Sequence, residues 1–311
     1  MPFFSIIVPV YNRAGEVARA LRSCLAQTFT DFEVVLVDDG STDDSVAVIR
    51  SFDDPRVRLI VHEQNRGRCP ARNTAMAAAR GRWFIFFDSD DELLPHALEA
   101  IHRDAADAPE AVNMLRYMCR DPQGVLSPEP PYGRETWTYE RYIRALEESI
   151  RGEALPASRT STFPAVAFPD GHAEEALYHL DMGRLGLSMT SPEVVRIYHQ
   201  DAPNQITKPD FRRALRFAAD NARNVDVLLE RHGEALRAHA PTVYASRLRE
   251  GALYHFMNGD RRAALRYARE SIRARGLSPK LILIVLLGLA GGAPLAWFQT
   301  QQGRMRRAFA R

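Results

Sequence analysis

Asp88-Ser89-Asp90-Asp91 closes the hydrophobic run Trp83-Phe84-Ile85-Phe86-Phe87, and its residue types and spacing could do chemistry. Side chains alternate along a strand with period two, so acids separated by one residue leave a strand tip on the same side. Asp88 and Asp90 are therefore placed to share one hard cation, which prefers carboxylate oxygen. Asp91 is a helix-start acid or an outer-shell group. An Asp-x-Asp alone is a weak signal, because acidic turns before helices are common. Its weight depends on the segments that precede it.

Those segments form a consistent series. Phe4-Ser5-Ile6-Ile7-Val8-Pro9-Val10-Tyr11-Asn12 reads as a buried strand running into a turn. Glu33–Val37 is a second apolar strand, ending in Asp38-Asp39-Gly40-Ser41-Thr42-Asp43. Val57–Val61 is a third and leads into Asn65-Arg66-Gly67-Arg68-Cys69-Pro70-Ala71-Arg72-Asn73. Helical patterns lie between them: Val17, Leu21, Cys24 and Leu25 on one face, then Val46 and Ile49, then Leu94, Leu98 and Ile101. Ser41 or Thr42 is the expected N-cap of the second helix, with Asp43 and Asp44 in its first turn. This alternation predicts a mostly parallel sheet with helices on both faces. Ligands of such sheets bind beyond the carboxyl ends of the strands, where the acids fall.

Four of these segments, Ser5–Asn12, Val37–Asp43, Asn65–Asn73 and Phe87–Asp91, resemble in sequence, order and spacing the N-terminal half of a family 2 glycosyltransferase. The resemblance covers roughly residues 3–110 and is looser beyond. It implies a GT-A-type fold, a nucleotide-sugar donor with a UDP-sugar favoured, and transfer with inversion. On the family pattern Pro9, Tyr11, Asn12, Asp39, Arg72, Asp88 and Ser89 hold the nucleotide sugar, with Asp90 the expected main ligand of Mg²⁺ or Mn²⁺ and Asp88 divided between metal and ribose. Tyr11 can offer the flat contact a base needs, and Arg72 a guanidinium for the diphosphate or base. Each has a plainer reading: packing for Tyr11, a turn-forming role for Asp38 and Asp39 before Gly40, and a surface helix position for Arg72.

The family takes its general base from an acidic pair opening a helix beyond the sheet. Phe168-Pro169-Asp170-Gly171-His172-Ala173-Glu174-Glu175 precedes the helical pattern Leu177, Leu180, Met182, Leu185, and Glu175 is the expected base. Glu174 and Asp170 are its substitutes, and both glutamates would equally serve as helix N-terminal charges. The second acid departs from the family's usual Asp. A further departure follows the strand Val194–Tyr198, where His199 stands at the usual arginine position and Asp201 at the usual histidine one. His199 is either a further metal or diphosphate contact or a structural residue. No Gly-x-x-x-x-Gly-Lys-Ser/Thr run and no Gly-x-Gly-x-x-Gly after a strand is present, so phosphate-loop hydrolysis and dinucleotide redox chemistry lack a warrant.

The chain of 311 residues carries a formal net charge of only +2, which does not advertise nucleic-acid binding. Cys24, Cys69 and Cys119 lack metal spacing and suit a reducing compartment. Met1-Pro2 runs straight into the first strand without a charged-then-apolar leader, so a cytoplasmic location is expected. Residues 1–208 are the expected catalytic domain, with a donor half to about 110 and an acceptor half from 111. From 209 to 311 the pattern is helical only. It includes a long helix through Leu215–Leu229 and a hairpin of Tyr244–Met257 and Arg261–Arg275 about Asn258-Gly259-Asp260. Leu281–Phe298 is uncharged, broken by Gly291-Gly292 and Pro294, and flanked by basic residues; it suits peripheral contact with an anionic membrane face or a buried helix. The expected acceptor is a saccharide or lipid-linked glycan at the inner face of the cytoplasmic membrane. The competing expectation is a catalytically weak nucleotide-binding relative whose helical tail docks a protein partner.

Overall fold

The computed structural model describes residues 1–148, 150, 152–169, 175–201 and 215–309. The described residues up to Asp201 form one compact unit, and those from Leu215 on form another.

In the first unit the βα alternation is realised as β1 (Phe4–Val10), α1 (Val17–Leu25), β2 (Phe32–Asp38), α2 (Ser45–Arg50), β3 (Val57–Val61), α3 (Arg68–Ala78) and β4 (Trp83–Phe86). These strands lie in the order β3-β2-β1-β4 and are all parallel, with Ile6 opposite both Val34 and Ile85. Every residue of β2 and β4 is buried, as a strand covered on both faces requires. Parallel pairing brings the C-terminal tips of β1, β2 and β4, with their acids and turn residues, to one edge.

The rest of the sheet is mixed. It comprises β5 (Glu92–Leu93), β6 (Val112–Arg120), β7 (Leu126–Ser127), β8 (Glu135–Trp137), β9 (Ala154–Arg159) and β10 (Leu187–Ile197), with α4 (Ala97–Ala106), α5 (Tyr139–Glu147) and α6 (Ala176–Leu185) among them. Strand β9 inserts antiparallel between β4 and β6, and β10 runs parallel to β6. The architecture is the expected GT-A-type α/β sheet flanked by helices, followed by a helical C-terminal region.

Local differences have physical causes. Helix α2 starts at Ser45, later than the expected cap. Ser41 Oγ instead accepts from the Asn12 N–H at 2.9 Å, and Asp43 accepts from the Ser45 N–H at 3.0 Å. The 41–43 turn thus ties β1 to β2 before the helix begins. Gly40, at φ +70°, is required there: a Cβ would lie 2.7 Å from the Gln64 carbonyl carbon.

The second unit consists of α7 (Ala218–His239), α8 (Pro241–Met257), α9 (Arg261–Arg275), α10 (Pro279–Ala290) and α11 (Gly292–Phe309). The expected hairpin is α8 and α9. Asp260 caps α9 by accepting from the Ala263 N–H at 2.9 Å. A Cβ on Gly251 would sit 2.9 Å from the Tyr267 ring, so the glycine permits close helix approach. The apolar stretch divides at Gly291 (φ +125°) into α10 and α11, and no described helix is long and apolar enough to cross a membrane.

Candidate active site

The strand tips build the site. Asn12 follows β1 in the left-handed region (φ +50°), and its Oδ1 accepts from the Thr42 N–H at 2.8 Å. Tyr11 beside it presents an exposed ring, and Pro9 lies within β1 opposite Val37. Asp39 after β2 is buried and fully engaged. Its carboxylate accepts from the Arg66 and Gly67 N–H groups (3.0 and 2.7 Å) and meets His62 Nδ1 at 2.8 Å. His62 Nε2 in turn lies 3.0 Å from Thr74 Oγ1. Asp39 therefore clamps the loop that opens α3, in addition to any ligand contact.

Arg72 on α3 is the centre of the arrangement. It is buried beneath the Phe168 and Phe86 rings, with its guanidinium carbon 5.3 and 6.0 Å from their centroids. It pairs with Asp88 Oδ1 at 2.9 Å and with Glu175 Oε1 at 2.5 Å. Burial alone would ease its deprotonation, but Glu175 and Asp88 outweigh that and raise its pKa above the usual value. Phe168 is fixed to α3 by a reciprocal pair. Asn73 Nδ2 donates to the Phe168 carbonyl at 2.8 Å, and the Phe168 N–H donates to Asn73 Oδ1 at 2.9 Å. Phe168 also stacks on Tyr178 at 4.1 Å. Burial disfavours the ionised Glu175, yet Arg72, Arg68 (3.1 Å) and His179 overcome this and hold its pKa below the usual carboxylate range. Glu174 and Asp170, the substitute bases, lie outside the described residues.

The four-residue acidic turn divides its labour. Asp88 is shared between Arg72 and Arg196, whose Nη1 lies 3.6 Å from its second oxygen. Ser89 is buried. Asp90 is held more loosely, 3.5 Å from Arg13 Nε, and burial together with the nearby Asp88 charge raises its pKa. Asp91 points inward, accepting from the His199 N–H at 2.8 Å and pairing with Arg196 at 3.3 Å. His199 Nε2 meets Glu92 at 2.8 Å. Asp201 pairs with Arg19, which also donates to the Asp90 carbonyl. The spacing argument thus brings Arg72, Asp88 and Glu175 together, with Asp90 close to Asp88, and leaves His199 tying β10 to β5.

Two residues escaped the sequence reading. Arg196 is 2 % exposed and pairs with Asp88, Asp91 and Glu153 Oε2 (2.8 Å); a lone arginine inside an apolar strand was its signal. Arg13, 8 % exposed and directly after Asn12, steadies Asp90.

Among the described residues no group of three or more His, Cys, Asp or Glu converges as a metal cage. The donor set nevertheless fits a divalent cation. Mg²⁺ is usually held by one or two carboxylates, with substrate phosphates completing the shell. Asp90, pushed up by burial and then by its neighbour's charge, is a carboxylate that such a cation would relieve.

The sequence profile of glycosyl transferase family 2 matches residues 5–157, and this part of the chain belongs to that family. The succinoglycan biosynthesis protein ExoO of Rhizobium meliloti (strain 1021) is 43% identical over 123 residues, 39% of this chain and 35% of that protein. WfgD of Escherichia coli, a UDP-Glc:alpha-D-GlcNAc-diphosphoundecaprenol beta-1,3-glucosyltransferase, is 38% identical over 95 residues, 30% of this chain and 38% of that protein. The matched stretch thus spans well under half of either relative. In fold, the chain resembles the crystal structure of S. aureus TarS 1-349 in complex with UDP-GlcNAc at TM-score 0.60 and 20% identity, over 98% of this chain and 92% of that one.

Proposed function

We propose that this protein is an inverting glycosyltransferase that moves a sugar from a nucleoside-diphosphate donor, a UDP-sugar, to a saccharide or lipid-linked glycan. The observation that carries this reading is the Asp88–Arg72–Glu175 chain, with pairs at 2.9 and 2.5 Å, set at the strand-tip edge of a family 2 domain. Tyr11, Asn12 and Pro9 offer the walls of a nucleoside site, with Asp39 holding its loop. Asp90 with Asp88 would hold Mg²⁺ or Mn²⁺, which when bound neutralises charge growing on the diphosphate leaving group. Relatives and fold neighbours support this reading, since they include a UDP-Glc-dependent glucosyltransferase and a UDP-GlcNAc complex.

In the reaction, the acceptor hydroxyl oxygen bonds to the anomeric carbon as the bond to the diphosphate oxygen breaks. The hydroxyl proton passes to the Glu175 carboxylate, and the electron pair leaves with the nucleoside diphosphate. Arg72 keeps Glu175 ionised and oriented, and its own charge faces the departing diphosphate. A base held in this way is present as carboxylate throughout the neutral range. Because its pKa is lowered, activity should stay flat as pH falls until below the ordinary glutamate range near about 4.3. The test is Glu175→Gln with UDP-glucose and UDP-GlcNAc, following UDP release. Turnover should fall about 10²- to 10⁴-fold with UDP affinity unchanged. Undiminished turnover would remove Glu175 from the chemistry and favour the weak or inactive relative.

The second unit suggests where the acceptor is met. Ile282, Leu286 and Leu289 of α10 are exposed at helical spacing, and Arg273, Arg275 and Lys280 precede them. An apolar stripe beside basic residues suits the surface of an anionic membrane, consistent with a place at the inner face of the cytoplasmic membrane.

A further inference from the structure

A cavity of about 290 Å³ opens beside Arg72, Asp88 and Glu175 and runs under the aromatic side chains of Tyr132, Trp137 and Tyr142. Three buried arginines line it. Arg72 is matched by Asp88 and Glu175, and Arg196 by Asp88, Asp91 and Glu153. Arg116 on β6 is different. It is 5 % exposed and no carboxylate among the described residues pairs with it; its guanidinium meets the Tyr132 hydroxyl, but its buried Nε and Nη2 have no hydrogen-bond partner. These two nitrogens form one edge of the guanidinium, a pair of parallel donors that matches two oxygens of a carboxylate or phosphate. Tyr142 covers the guanidinium face, its ring centroid 4.5 Å from Cζ, and so leaves the edge as the polar side. His179 adds a second open group. Burial and then Arg116 push its pKa down to about 3, so it stays neutral, and its Nδ1 is also buried without a partner. Leaving a charged donor unsatisfied is costly, so such a site calls for an occupant.

We infer that this cavity binds an acidic sugar, a saccharide bearing a carboxylate or phosphate that the Nε–Nη2 edge of Arg116 grips while Trp137 and Tyr142 flank the ring. His179, as a neutral imidazole, hydrogen-bonds a sugar hydroxyl without competing for the anion. The inference rests on the proposed transferase reading and adds the substrate class. The acidic group belongs either to the donor's sugar or to the acceptor, and binding measurements separate the two. With the full chain and Mn²⁺, UDP-glucuronic acid is compared with UDP-glucose. In the second arm, glucuronic acid and glucose 6-phosphate are compared with glucose on protein already saturated with UDP and Mn²⁺.

In one arm the acidic probe should bind about 10- to 100-fold more tightly than its neutral partner, the worth of a hydrogen-bonded charged pair. Arg116→Gln should erase that preference while UDP affinity is unchanged, and Arg116→Lys should restore part of it. Equal binding of acidic and neutral probes in both arms overturns the inference, as does a preference that survives Arg116→Gln. If Arg116→Gln does not fold, the wild-type comparison and Arg116→Lys still decide. Loss of UDP binding by the wild type would instead count against the transferase reading itself.

Discussion

Arg196 carries three acids, Asp88, Asp91 and Glu153, from a position 2 % exposed. Removing one member of a buried ionic cluster is far worse than removing a surface pair, because the remaining charges are left uncompensated. Arg196→Met should therefore cost about 3–5 kcal/mol in urea unfolding, against less than about 1 kcal/mol for Arg141→Met, whose Glu148 partner is exposed. Equal losses would mean that Arg196 is not the keystone of the acidic turn. At this scale the acidic motif was legible and two of its cations, Arg13 and Arg196, were not. Asp88 and Asp90 stand out by type and spacing at a strand tip, whereas Arg72 and Glu175 are reached through the family resemblance. Arg13 and Arg196 reach the acids only through folding; a lone arginine in an apolar strand marks Arg196 as unusual without naming its partners. The Asp39 clamp on Arg66 and Gly67 was equally hidden, since it joins β2 to a loop some 27 residues on.

The helices and strands of the donor half followed from hydrophobic periodicity, because parallel βα units bury continuous apolar runs and put turn chemistry at their ends. The acceptor half was harder. Strand β10 begins at Leu187, well before the Val194–Tyr198 run, because polar Ser188, Thr190 and Ser191 are buried within it. Thr190 Oγ1 bonds the Gly133 carbonyl at 2.7 Å, so pairing with a loop satisfies what periodicity would count as surface. In the helical region the α8–α9 hairpin was legible from Asn258-Gly259-Asp260. Asp260 caps α9, and Asp260→Ala should lower stability by about 1 kcal/mol in thermal unfolding. No change would mean that the cap is redundant.

On the scale of the whole molecule, a family 2 domain is joined in one chain to helices that expose Ile282, Leu286 and Leu289. If that stripe meets lipid, the chain should co-sediment with vesicles containing anionic phospholipid and not with neutral ones. Leu286→Glu together with Leu289→Glu should reduce the bound fraction several-fold while nucleotide affinity stays the same. Binding unaffected by both changes would leave α10 as a protein-facing surface.

The most direct test of the account is calorimetric titration of UDP into the full chain with and without Mn²⁺, beside the same titration of Asp90→Ala. Metal-dependent UDP binding in the wild type, abolished in a folded Asp90→Ala protein, is the predicted result. A wild type that binds no UDP, or an Asp90→Ala protein that binds it as the wild type does, would contradict the donor site described here.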